Sequence, residues 1–134
     1  METSPADPKT ARSHFESSLT FETDPSDVHA DLQNGETGFV VLDARTTESY
    51  AKGHVPGAIS FPHRKIDSTS VSSLPRDKLI VTYCDGVYCN ASTRAAAKLA
   101  ALGFRVKEMI HGMSGWIQEG YPVETGIGPV KLER

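Results

Sequence analysis

The sequence predicts an α/β fold: a central, mostly parallel sheet flanked by helices. Three observations predict it. Residues 39–43, Phe39-Val40-Val41-Leu42-Asp43, and residues 78–84, Lys78 through Cys84, are apolar runs of the kind found in strands buried on both faces. Segments of helical character alternate with them, above all Ser92 to Leu102, where Ala95, Leu99 and Leu102 share one helical face. The length of 134 residues and hydrophobic fraction of 38% fit one packed domain, whereas two domains would each have a thin core.

The elements follow in order. Met1 to about Glu16 mixes Pro, Ser, Thr and charge without apolar periodicity, and reads as a flexible N-terminal arm. Leu19 and Phe21 alternate with polar neighbours as in a short edge strand. Asp24 then offers an N-cap with Pro25 at the first helical position, and Asn34-Gly35 ends a helix expected over Pro25 to Gln33. The strand 39–43 follows, closing on Asp43. Thr46 caps a short helix through Tyr50, and Lys52-Gly53 stops it before the Pro- and Gly-broken stretch from His54 to Ile59. Ala58 to Phe61 is expected as a strand, and Arg64 to Ser73 as a polar segment with a short helix. Pro75 and Asp77 turn the chain into the second apolar strand, which delivers Cys84 at its C-terminal edge. After a loop comes the helix from Ser92 to Leu102, with Gly103 where a left-handed cap is wanted. Val106 to Ile110 reads as the last strand and Gly112 to Ile117 as a short final helix ended by Gly120. This divides the chain into the arm (1–16), one domain (17–126) and a C-terminal tail (127–134).

Charge excludes some partners. The 14 basic and 17 acidic residues are mixed, with no basic cluster to contact a phosphate backbone, so nucleic acid is not an expected partner. No apolar run approaches the roughly 20 residues needed to span a bilayer, and the N-terminus has no apolar signal segment. A cytoplasmic location without membrane contact is the expectation. The two cysteines, Cys84 and Cys89, would close too short a loop to staple the fold, and so close a pair points to chemistry.

In open parallel sheets ligands bind beyond the carboxyl ends of the strands, where helix N-termini present unpaired N–H groups. Cys84 stands at such an end. A thiolate there would gain from the helix dipole and the loop amides, which favour the charged form. Position alone leaves open whether Cys84 is reactive or a buried core cysteine.

Several segments in the right order resemble the rhodanese family over about residues 19–122. Val40 to Arg45, then Glu48 to Ile59 with its Gly53-His54-Val55-Pro56-Gly57-Ala58 core, are similar to the family's first signature. Leu79 to Cys84, followed by Ser92, Ala95-Ala96, Leu99 and Gly103-Phe104, resembles its active-site strand, loop and helix. Gly112 to Trp116 and Glu119 to Pro122 are similar to its C-terminal signature. The resemblance implies a rhodanese-like fold and a sulfurtransferase. Cys84 takes the place of the persulfide-forming cysteine, and the loop Asp85, Gly86, Val87, Tyr88, Cys89, Asn90 and Ala91, with Arg94 beyond it, that of the substrate-binding cradle. The implied reaction moves a sulfane sulfur from a small anionic donor such as thiosulfate to a thiol or cyanide, or to a protein acceptor, with no metal or organic cofactor.

The loop departs from the family pattern. Cys84 lies about two residues too early for the common short cradle, no arginine stands inside the loop, and Asp85 adds a negative charge beside the nucleophile. Cys89, in the same loop, is a candidate resolving thiol that could meet an oxidised or sulfur-loaded Cys84. Asp43 and Arg45 are candidate supporting residues, read first as a structural ion pair. His54 reads as a hydrogen-bonded turn residue before a general base, and Trp116 as a core anchor. His63 and His111 have no metal-ligand spacing with the cysteines, and Tyr88 is either a pocket-mouth or a solvent-facing aromatic. Two other functions compete. A cysteine phosphatase or arsenate reductase would need a clamping arginine where this loop has Asn90 and Ala91. A non-catalytic rhodanese-like binding module often lacks the cysteine that this chain retains.

Overall fold

The computed structural model describes residues 2–126. Five strands, β1 Glu22–Thr23, β2 Phe39–Asp43, β3 Ile59–Ser60, β4 Leu79–Tyr83 and β5 Val106–Met109, form one sheet in the order β1-β5-β4-β2-β3. Every neighbouring pair is parallel. The helices are α1 Pro8–Phe21, α2 Pro25–Gln33, α3 Thr47–Lys52, α4 Ala91–Ala101 and α5 Gly112–Gln118. No helix among the described residues is long and apolar enough to cross a membrane.

The two apolar runs form the central pair, β2 beside β4, with Phe39 to Asp43 in register with Leu79 to Tyr83. Because successive side chains in a strand point to opposite faces, these runs feed two cores. Leu42 and Ile80 pack on one face with Ala95 and Leu99 of α4 and with Phe104. Val41, Val81 and Tyr83 pack on the other with Val28 of α2 and Met113 and Trp116 of α5. Trp116 is fully buried and donates its indole N–H to Pro122 O at 2.7 Å, which satisfies the one polar atom of a core anchor.

The N-terminal expectation is corrected. Residues 8–21 are helical, so neither an irregular arm through Glu16 nor a strand around Leu19 and Phe21 is present, and α1 runs across the boundary expected at residue 17. Asp7 caps this helix, accepting from Thr10 N at 3.1 Å, with Pro8 in the first turn; Arg12 pairs with Glu16 one turn on. Residues of α1 are not buried, which is why no apolar stripe marks it in the sequence. The polar stretch 64–73 forms two 3₁₀ turns, His63–Lys65 and Ser70–Ser73, and the strand expected over Ala58 to Phe61 contracts to Ile59–Ser60. The expected tail, 127–134, lies outside the described residues.

One buried ionic cluster fixes the carboxyl end of the central strands. Asp43 is fully buried and accepts from Arg45 Nη2 at 2.7 Å, Arg45 Nε at 3.0 Å, the Arg45 amide at 2.9 Å and the Tyr83 hydroxyl at 2.6 Å. Arg45 also donates to Gly53 O at 2.6 Å and to Asp85 Oδ1 at 3.1 Å. Burial opposes the guanidinium charge, but the bond and charge of Asp43 outweigh it and hold Arg45 above its ordinary value. Burial, then Asp43, push the Tyr83 phenol far up, so it serves as a neutral donor. Tyr83 and Asp85, the two neighbours of Cys84, are thus both tied to this pair. Asp43→Asn keeps the shape and leaves Arg45 buried with only the exposed carboxylate of Asp85 as an ionic partner. It should lower the unfolding free energy by about 3–5 kcal/mol, as breaking a buried pair from one side does, measured by urea denaturation; a loss under about 1 kcal/mol would show that the pair does not hold this edge.

Candidate active site

Cys84 follows β4 directly and is 3% exposed. Its carbonyl accepts from Met113 N at 2.8 Å, and the Asp85 carbonyl accepts from Ser114 N at 2.7 Å, so the first turn of α5 grips the backbone on which the thiol sits. Gly112 permits that grip. Its φ is +53°, and a Cβ at this position would overlap the Cys84 carbonyl.

Around the sulfur the contacts come from the loop and the start of α4. The Cys84 thiol donates to Cys89 O at 3.2 Å, and Ser92 Oγ lies 3.5 Å away. Ser92 is itself committed: its hydroxyl donates to Glu108 Oε2 at 2.9 Å, and Thr93 donates to the same oxygen at 2.8 Å. With the Ser92 proton given to Glu108 and the Cys84 proton to Cys89 O, the 3.5 Å approach of Ser92 to Cys84 is a contact rather than a second donated bond. Thr82 Oγ1 donates to Ser92 O at 3.0 Å, locking the first turn of α4 to the active strand. A bond from Cys89 N to Gly86 O at 3.1 Å folds the loop back on itself, and Ala91 N points to Cys89 Sγ at 3.4 Å. Burial pushes the Cys89 thiol up, the Ala91 amide pulls it down, and the Cys84 thiol adds to the rise.

A pocket of about 260 Å³ opens on these groups, lined by Cys84, Gly86, Val87, Cys89 and Ser92 together with Glu22, Thr93, Glu108 and residues 109–112. A larger depression of about 540 Å³ lies beside it between α2 and α5 and shares the Val87 and His111 side of the loop, but does not include Cys84.

The cradle expected over Asp85 to Ala91 is thus only partly assembled. Gly86, Val87 and Cys89 join Cys84 at the pocket. Asp85 turns to Arg45, Tyr88 is fully exposed, and Asn90 accepts from Arg94 Nε at 3.2 Å on the exposed side of α4. Ala91 is the first residue of α4, one earlier than expected, so Arg94 falls a full turn into the helix and away from the pocket. No arginine or lysine is among the residues lining it, so the guanidinium that a phosphatase would need is not brought to Cys84. His54 is buried, with Nδ1 2.7 Å from Tyr50 O and its ring stacked on Tyr50, and it too is absent from the pocket lining. Sequence reasoning missed the carboxylates. Glu108 and Glu22 come together only because β1 pairs with β5 in the register Glu22 to Glu108, and nothing in either local sequence signals that pairing.

A thiol at the floor of a pocket on the carboxyl edge of a parallel sheet defines a cysteine-centred α/β domain. Comparison with known proteins makes this specific. The rhodanese-like domain family matches residues 24–119. Pseudomonas putida thiosulfate sulfurtransferase GlpE is 32% identical over 114 residues, 81% of this chain and 94% of that protein. The HTH-type transcriptional regulator Rv0324 of Mycobacterium tuberculosis is 38% identical over 96 residues, 71% of this chain but only 42% of the regulator. Among solved structures, the BH2092 protein of Bacillus halodurans superposes with a TM-score of 0.86 at 44% identity, covering 89% of this chain and 87% of that one. The chain belongs to the rhodanese-like domain family.

Proposed function

We propose that this chain is a sulfurtransferase that carries a sulfane sulfur as a persulfide on Cys84. The observation that carries the reading is the position of Cys84: at the end of the central strand, on the floor of a pocket, in front of α4. Membership of the rhodanese-like family and relatives named thiosulfate sulfurtransferase support it. With thiosulfate as donor, the Cys84 thiolate attacks the outer sulfur, the S–S bond of the donor breaks, and sulfite leaves with the electron pair. Cyanide or a thiolate then attacks the terminal sulfur of the persulfide and regenerates the Cys84 thiolate. Asp43 and Arg45 act as positioning residues that hold Tyr83 and Asp85 on either side of the nucleophile. Gly86 and Val87 border the donor, whereas Asp85, Tyr88, Asn90 and Arg94 lie outside the pocket lining.

The pocket wall bears on donor choice. Glu22 and Glu108 face the space that a dianionic donor must enter, and neither is offset by a lysine or arginine among the lining residues. Like charges raise the work of bringing thiosulfate to Cys84. The natural donor on this reading is a persulfide of lower charge, small or protein-borne.

Two measurements test the proposal. Cys84→Ser is nearly isosteric but cannot form a persulfide, so it should abolish thiocyanate formation from thiosulfate and cyanide while leaving the unfolding midpoint nearly unchanged. Turnover surviving in that variant would move the nucleophile elsewhere. Glu22→Gln removes one exposed charge and should raise kcat/KM for thiosulfate roughly two- to fivefold at low salt, with the gain shrinking as ions screen the pocket. An unchanged or lower kcat/KM would show that the acidic wall does not govern donor choice.

A further inference from the structure

The loop that follows Cys84 is longer than a simple anion cradle requires, and its extra length is used to bring a second cysteine back to the first. The turn closed by Cys89 N and Gly86 O reverses the chain, and the Cys89 carbonyl comes to rest 3.2 Å from Cys84 Sγ. Both cysteines line the same 260 Å³ pocket. Cys89 also packs against the hydrophobic cluster to which Cys84 belongs. Both are free thiols. Ala91 N, the first amide of α4, is directed at Cys89 Sγ rather than at Cys84, so a negative charge developing on the Cys89 sulfur has a donor waiting for it.

We propose that Cys89 resolves the Cys84 persulfide, so that this domain releases its sulfur as sulfide and not only by transfer to an external acceptor. The inference rests on the persulfide reading given above. The Cys89 thiolate attacks Cys84 Sγ, the inner sulfur of the persulfide. A Cys84–Cys89 disulfide bond forms, the bond between the inner and terminal sulfurs breaks, and the terminal sulfur leaves with the electron pair. The proton given up by the Cys89 thiol balances the departing anion, so a persulfide anion and a thiol become a disulfide and hydrosulfide. The outgoing sulfur is reduced as the Cys89 sulfur is oxidised. No oxidant is required. A dithiol reductant then reopens the disulfide and returns both thiols for another cycle.

The surroundings of Cys89 set the pace of this step. Burial is the largest influence on its thiol and raises it above the ordinary value, the opposing Ala91 amide notwithstanding. Thiolate is therefore scarce near neutrality, and the rate of exchange follows the thiolate fraction. An external acceptor that reaches the persulfide quickly takes the sulfur intact. When none arrives, Cys89 discharges it as sulfide, with a rate that climbs as pH rises toward the raised Cys89 value.

A single-turnover experiment on the full chain separates the outcomes. The reduced protein, freed of small thiols, is treated with thiosulfate under anaerobic conditions, and sulfite, sulfide and peptide linkage are measured together. Wild type is expected to yield about one sulfite and about one sulfide per chain, together with a peptide linked through Cys84 and Cys89, and the sulfide rate is expected to rise with pH. Cys89→Ser and, as a second variant, Cys89→Ala are expected to yield sulfite but hold the sulfur as persulfide, releasing sulfide only when dithiothreitol is added. If wild type holds its persulfide as long as the variants do, with no linked peptide, Cys89 has no resolving role and the inference is overturned while the sulfurtransferase reading stands. If neither wild type nor variants gain sulfur from thiosulfate or from a small alkyl persulfide, both fall together.

Discussion

The buried pair of Asp43 and Arg45 is the interaction on which the geometry of this domain turns. A carboxylate with no solvent exposure is tolerable only if its lone pairs are satisfied and its charge is matched. Asp43 meets both conditions through Arg45 and the Tyr83 hydroxyl. The consequence is structural and local. Tyr83 precedes Cys84 and Asp85 follows it, so one ion pair reaching from β2 to β4 clamps Cys84 from both sides. From the opposite direction α5 grips the Cys84 and Asp85 carbonyls through Met113 and Ser114, at a distance only Gly112 allows. The cysteine therefore sits on backbone held rigidly at both ends, as a reacting atom should.

The same surroundings divide the pocket electrically. The cationic side of the ion pair is consumed by Asp43, Asp85 and Gly53 O, and contributes no free positive charge to the pocket. The opposite wall carries Glu108, which accepts from Ser92 and Thr93 and so aligns the first turn of α4 against the thiol. On the proposed function, such a site holds its sulfur by shape and backbone contacts rather than by a cationic clamp. It gives a physical reason for a donor preference different from that of an arginine-bearing loop, since Asn90 and Ala91 stand where that arginine would otherwise be.

Much of this was legible in the residues. The apolar runs at 39–43 and 78–84 could be buried on both faces only in a parallel sheet covered by helices, and the Asp24-Pro25 pair marked the start of α2. The strand end carrying Cys84 followed from the same pattern. The Asp7-Pro8 pair is the same helix-start signal as Asp24-Pro25, but without an apolar stripe behind it the helix from Pro8 to Phe21 left no second mark and its last turn imitated an alternating strand. Arg94 follows the loop closely in sequence, but within α4 its side chain bonds Asn90 on the exposed side and is not among the residues lining the pocket. Glu22 and Glu108 were beyond local pattern altogether. Their meeting depends on strand order, with β5 lying between β1 and β4, a fact of topology that no short stretch of sequence contains.

What the account most depends on is that Cys84 itself takes up sulfur. The direct measurement is the intact mass of the folded Cys89→Ser chain, in which the sulfur cannot be discharged internally, before and after treatment with thiosulfate and with a small alkyl persulfide, and again after cyanide. The account predicts a gain of one sulfur atom, located on the peptide containing Cys84 and removed completely by cyanide. A folded chain whose mass does not change, or whose added sulfur lies on another residue, would contradict it.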